Sequence, residues 1–123
     1  MLFRSTAVYT VTQVKKILKN INKNSKTKIS IFSGRMSDAG KDPVPIIKES
    51  VRLTKKMKKV EILWASTREA YNYLQAKSCG CSIITMPSSV IHQLSKFGKT
   101  YQALTLDTVK KFLKDSRDSN FKI

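Results

Sequence analysis

Four short runs rich in β-branched and aromatic residues recur along this chain, at residues 6–10, 28–33, 60–65 and 82–86, and each leads into a longer stretch with apolar residues at helical spacing. This alternation constrains the fold more than composition does, because a strand, a helix and a parallel strand make the repeating unit of α/β proteins. Each unit takes roughly 20 to 30 residues, the usual size for the motif. Four units make half of an eight-stranded barrel, and a complete barrel needs at least roughly 200 residues. A chain of 123 residues is therefore a small open α/β sheet or the second half of something longer.

Periodicity fills in the elements. Val11, Val14, Ile17, Leu18 and Ile21 form an apolar stripe with Lys on the other side, which predicts an amphipathic helix behind the first strand. Residues 34–42 read as a long polar loop. Asp42 before Pro43 reads as a helix cap and first helical position, opening a helix to about Lys58. The Val, Ile, Leu and Trp content of residues 60–65 suits a strand covered on both faces. Thr67 is read as the cap of the next helix, and Gly80 as its stop. Pro87 opens a further helix that Gly98 ends. A last helix from about Thr105 carries Val109, Phe112 and Leu113 on one side, and the tail after Ser116 is polar and frayed.

Two strand ends share one build. Ser30-Ile31-Phe32-Ser33-Gly34-Arg35 and Ile62-Leu63-Trp64-Ala65-Ser66-Thr67-Arg68 each deliver a hydroxyl and a guanidinium at the C-terminal end of a strand, where α/β sheets and barrels build their sites. Two guanidiniums there point to an anionic substrate, most simply a phosphate, which they bind bidentately. Helix N-termini after the strands are expected to add free amides. Pairing of these arginines with Asp38 or Glu69 on the surface is the alternative.

Other features carry less. The 24 Lys and Arg against 8 Asp and Glu give a net charge of +16, a balance that invites polyanions. The lysines, however, are spread along predicted helices, as at Lys15, Lys16, Lys19, Lys110, Lys111 and Lys114, and read as a solvated face. No apolar run approaches the roughly 18 residues of a membrane span. Met1 to Ser5 are not followed by the apolar core of a secretory signal, so the chain reads as cytoplasmic. Cys79 and Cys81 flank Gly80 too closely for the usual metal knuckle or redox pair and read as small buried thiols. His92, the sole histidine, reads as a partly exposed structural residue, and Lys28 as a strand-start lysine far from the site.

The run from Ser30 to Gly40, then Asp42-Pro43 and the run from Ile62 to Glu69, resembles the sixth and seventh strand regions of the transaldolase family. Ser82-Ile83-Ile84-Thr85-Met86-Pro87 is similar to its eighth strand, and residues 6–10 to the end of its fifth. The resemblance implies a partial (β/α)8 TIM barrel of four parallel βα units, strands five to eight, plus a C-terminal helix, with residues 1–123 forming its C-terminal half. It implies Schiff-base transfer of a dihydroxyacetone unit between sugar phosphates, as in pentose phosphate metabolism, with no cofactor and no metal. The family's lysine nucleophile on the fourth strand, its first-strand aspartate and its third-strand glutamate would lie upstream of Met1, so the chain alone is expected to be inactive.

The remaining roles carry over residue by residue. Thr6 matches a threonine that holds a catalytic water, Ser30 a serine that bonds a hydroxyl of the dihydroxyacetone adduct, and Phe32 the aromatic wall of that pocket. Arg35 and Arg68 match the two phosphate-binding arginines, with Ser66 donating beside Arg68. For Thr6 and Phe32 plain barrel or core packing is the alternative. The family's asparagine two places before Thr6 falls on Arg4, a departure that lets residues 1–5 be read as a non-native junction. Partners implied are a sugar phosphate and either the missing N-terminal half of the barrel or a second copy, with no membrane. The competing reading is a basic half-barrel module that binds anions or nucleic acid without catalysis.

Overall fold

The computed structural model describes residues 2–22 and 24–118. Four strands, β1 (Leu2–Val8), β2 (Lys26–Phe32), β3 (Val60–Ala65) and β4 (Ile83–Ile84), form one parallel sheet in the order β1-β2-β3-β4. Helices α1 (Val11–Asn20), α2 (Ser33–Asp38), α3 (Val44–Thr54), α4 (Tyr71–Cys79), α5 (Ser88–Gln93) and α6 (Tyr101–Asp118) follow the strands. Strands adjacent both in sequence and in the sheet, with helices between them, are the arrangement of a βα barrel opened along one side. The expected α/β architecture is present, with four parallel strands and a C-terminal helix.

Alternation along the strands separates two faces. Ile29 and Ile31 of β2 and Ile62 and Trp64 of β3 pack with Val14 of α1, Ile47 of α3 and Ala76 and Cys79 of α4 in one core. Trp64 is the largest fully buried side chain there. Lys28, Ser30 and Phe32, beside Glu61, Leu63 and Ala65, belong to the opposite face, which in a closed barrel is the interior. Both faces of β3 are covered, since only Glu61 is half-buried and the rest of the strand is buried.

Local chemistry accounts for most element ends. At the start of α1, Thr10 Oγ1 accepts from Gln13 N–H at 3.1 Å and the Gln13 side chain accepts from Thr10 N–H at 3.0 Å, a reciprocal capping box. Asp42 Oδ1 accepts from Val44 N–H at 3.0 Å at the start of α3, as its position before Pro43 predicts. Gly80 ends α4 at φ 85°, a conformation that favours glycine.

Several boundaries differ from expectation. β1 begins at Leu2 and pairs Leu2 to Ser5 with Lys26 to Ile29 before a bulge between Ser5 and Val8. Ser33, expected to end the second strand, and residues 34–38, expected within a loop, form α2, a helix with no apolar period whose Ser33, Gly34 and Met36 are buried. α3 ends at Thr54, ahead of Lys58, because Met57 N–H turns back to Thr54 O and Val60 N–H to Met57 O to feed β3. β4 is reduced to the two residues that pair with Leu63 and Trp64. Helix α6 starts at Tyr101, four residues ahead of Thr105, where the Thr100 hydroxyl accepts from Ala103 N–H, and it continues past Ser116 to Asp118. Met1, Lys23 and residues 119–123 lie outside the described residues.

Candidate functional site

The C-terminal ends of β2 and β3 are fastened to each other by a missing side chain. Gly34, in the first turn of α2, lies so close to the turn after β3 that a Cβ there would come within 1.6 Å of Ser66 O and 2.9 Å of Arg68 Cγ. Only glycine permits that approach. Ser66 in turn adopts φ 61°, a left-handed conformation unusual for a residue with a side chain. The two turns that carry Arg35 and Arg68 thus form one unit.

In that unit Arg68 is fastened to Asp38, in the last turn of α2, while Arg35 makes no ion pair with it and reaches it only through its charge. Arg68 Nη2 lies 2.7 Å from Asp38 Oδ2, and Arg68 Nε lies 3.3 Å from the same oxygen. The hydrogen bond from Arg68 holds the Asp38 carboxyl below its ordinary value against desolvation, and the charges of Arg68 and then Arg35 add smaller effects in the same direction as the bond. Whatever stability this pair gives the fold is present above the ordinary carboxylate value and is lost as pH falls through the lowered one. Both side chains are about half exposed, so the pair is screened by salt and open to exchange with another anion. The surface pairing weighed for these arginines therefore exists for Arg68, with Asp38 as its partner.

Beside Arg35 the wall is aromatic. The Arg35 guanidinium carbon stands 5.9 Å from the centroid of the Phe32 ring, within cation–π range. Tyr9 meets Phe32 edge to face at 6.1 Å between centroids. Tyr9, Thr10, Arg35, Met36, Asp38 and Ile46 are among the residues lining an open depression of about 720 Å³.

Asn72 was not singled out by sequence reasoning and yet shapes the site. Its Oδ1 accepts from Arg68 N–H at 3.2 Å and from Glu69 N–H at 3.1 Å, and its Nδ2 donates to Gln75 Oε1 at 2.8 Å. The amides expected to be free for phosphate after β3 are consumed there. Thr67, expected to cap α4, instead has a buried hydroxyl with no partner among the described residues, and α4 begins only at Tyr71. The available signal was an Asn placed four residues after Arg68, at the reach of a side chain folding back over a turn.

The other predicted residues divide. Ser30 is fully buried in β2, and Arg4 Nε points to its hydroxyl at 3.5 Å. Thr6 is not brought to this group. It is exposed within the β1 bulge, beside Ala7 at φ 57°, and lines a separate cavity of about 750 Å³ with Gln13, Lys16 and Ile17 of α1. His92 is exposed on α5. Cys79 is buried and Cys81 half-buried, and burial pushes the Cys81 thiol up to about 12, which leaves it protonated and unreactive at neutral pH. Among the described residues no three His, Cys, Asp or Glu side chains gather as a metal site. No described helix is long and apolar enough to cross a membrane.

A parallel βα sheet with helices between its strands and two arginines at adjacent strand ends defines the class: an α/β protein of the barrel type. Residues 3–123 match the model of the Transaldolase/Fructose-6-phosphate aldolase family, and the chain belongs to that family. Similar curated proteins are probable transaldolases. That of Caldicellulosiruptor saccharolyticus is 35% identical over 91 residues, covering 72% of this chain and 40% of the relative. That of Thermoplasma volcanium is 36% identical over 94 residues, covering 76% and 40%. That of Clostridium botulinum is 36% identical over 90 residues, covering 72% and 39%. The matched part of the chain spans about two fifths of the length of these relatives.

Proposed function

We propose that this chain supplies the phosphate-binding side of a transaldolase-type site, in which a dihydroxyacetone unit passes between sugar phosphates through a Schiff base. The observation that carries the reading is the close packing of Gly34 on the Ser66 turn, which brings the Arg35 and Arg68 turns together beside the exposed Arg68–Asp38 pair. A substrate phosphate takes the place of Asp38 at the Arg68 fork and receives the Arg35 charge from the α2 side. Ser66 borders the same turn, while Ser30 and Phe32 face the sugar from β2. The lysine that would form the Schiff base has no counterpart among these residues, so residues 1–123 act as the C-terminal half of a barrel, completed by an N-terminal half or by a second copy.

Calorimetric titration of the chain with fructose 6-phosphate at physiological salt tests this. Binding is expected, and Arg68→Ala should weaken it about tenfold or more, the effect of removing a charge-assisted bidentate contact. Borohydride with the same ligand should trap no covalent adduct on the chain alone. Equal binding by wild type and Arg68→Ala, with tight retention of DNA at the same salt, would replace this reading with the basic-module alternative.

A further inference from the structure

We propose that Asp38 is an internal competitor at the phosphate site, a tethered carboxylate that fills the Arg68 fork whenever the site is empty and sets how tightly a phosphate is held. This rests on the phosphate-binding reading above and adds what regulates its affinity. Arg68 Nη2 and Nε lie 2.7 and 3.3 Å from Asp38 Oδ2, and Nε lies 3.5 Å from Oδ1. These are the donors with which a guanidinium takes a phosphate bidentately. Arg35 is in a different state, over the Phe32 ring and without an ion pair to Asp38. Of the two guanidiniums, only that of Arg68 carries this carboxylate before any ligand arrives.

The backbone around the pair is held without that carboxylate. Asp38 is the last residue of α2, and carbonyls at this end are taken by backbone amides: Ala39 N–H donates to Met36 O at 3.1 Å, Gly40 N–H to Ser37 O at 3.0 Å and Lys41 N–H to Met36 O at 2.9 Å. A helix C-terminus disfavours a carboxylate, so the Asp38 charge is placed for Arg68 rather than for α2. On the other side, the Arg68 turn is fixed by Gly34 packing on Ser66 and by Asn72. With both backbones held independently, the ion pair can open without moving either turn, and its half-exposed partners can exchange with a dissolved anion. Tethered beside the fork, Asp38 competes at a high effective concentration, whereas a phosphate competes only at its concentration in solution. The carboxylate returns as the phosphate leaves.

Calorimetric titration with fructose 6-phosphate and with inorganic phosphate at physiological salt tests this in Asp38→Asn and Asp38→Ala, with circular dichroism to follow the fold. Both ligands should bind about fivefold more tightly to Asp38→Asn than to the wild type, the scale on which one exposed ion pair competes. Asp42→Asn removes the same charge from the same depression while keeping the side-chain oxygen that caps α3, and it should change affinity less than about twofold. In the Arg68→Ala background the gain from Asp38→Asn should vanish, since the competitor acts through that guanidinium. Unchanged or weaker binding by both Asp38 variants, an equal gain in Asp42→Asn, or loss of the fold in both Asp38 variants overturns the competitor, and the phosphate site stands as long as Arg68→Ala weakens binding. If Arg68→Ala binds as the wild type does, the phosphate reading itself fails and the competitor with it.

Discussion

The fused ends of β2 and β3 close on themselves, whereas the chain after β4 does not. At the strand ends, Gly34 lies against the Ser66 backbone, Asn72 holds the Arg68 turn and Asp38 spans to Arg68. After β4, Val90 is buried, but Ile91, Phe97, Leu106, Val109, Phe112 and Leu113 are exposed, Phe112 by 67%. The apolar stripe expected on the last helix exists and covers nothing within the described residues. An amphipathic pattern specifies that a helix forms and which face wants burial, but the partner is a property of the surrounding surface.

The sharpest way to break this contrast is Gly34→Ala. A Cβ 1.6 Å from Ser66 O forces the two turns apart, and chemical denaturation should show a loss of at least about 3 kcal/mol. A fully stable Gly34→Ala with unchanged affinity for fructose 6-phosphate would mean that the two turns are independent. Asn72→Ala should cost less, about 1–2 kcal/mol, because the amides of Arg68 and Glu69 lose a side-chain acceptor but remain near solvent. The same variant should weaken fructose 6-phosphate binding, since Asn72 positions Arg68. At the small end, Phe112→Ala on α6 should change the unfolding free energy by less than about 0.5 kcal/mol in dilute protein. A large shift there would show that the α6 stripe is covered in solution.

The strands were legible in the sequence wherever their residues were buried by contacts across the sheet. β3 matches its predicted span because Val60 to Ala65 are apolar or paired along the whole length. The stripe of α1 was legible for the same reason, and its capping box agrees with the pattern. What escaped was structure created by tertiary contact. α2 has neither apolar period nor side-chain cap and exists because Gly34 is pressed against the turn after β3 and Met36 is buried in the core. The site divides in the same way: Arg35 and Arg68 could be read from paired motifs, and the pairing of Arg68 with Asp38 from the alternative weighed for them, whereas Asn72 and the approach of Arg4 to Ser30 depend on folds of the chain that spacing alone does not reveal.

The contact of Gly34 with Ser66 also has an evolutionary meaning. Two loops that share one backbone seam change together, so an insertion in either one alone would open the seam between β2 and β3. A transplant of the Arg35 turn into another barrel would have to bring the Ser66 turn with it, left-handed residue included.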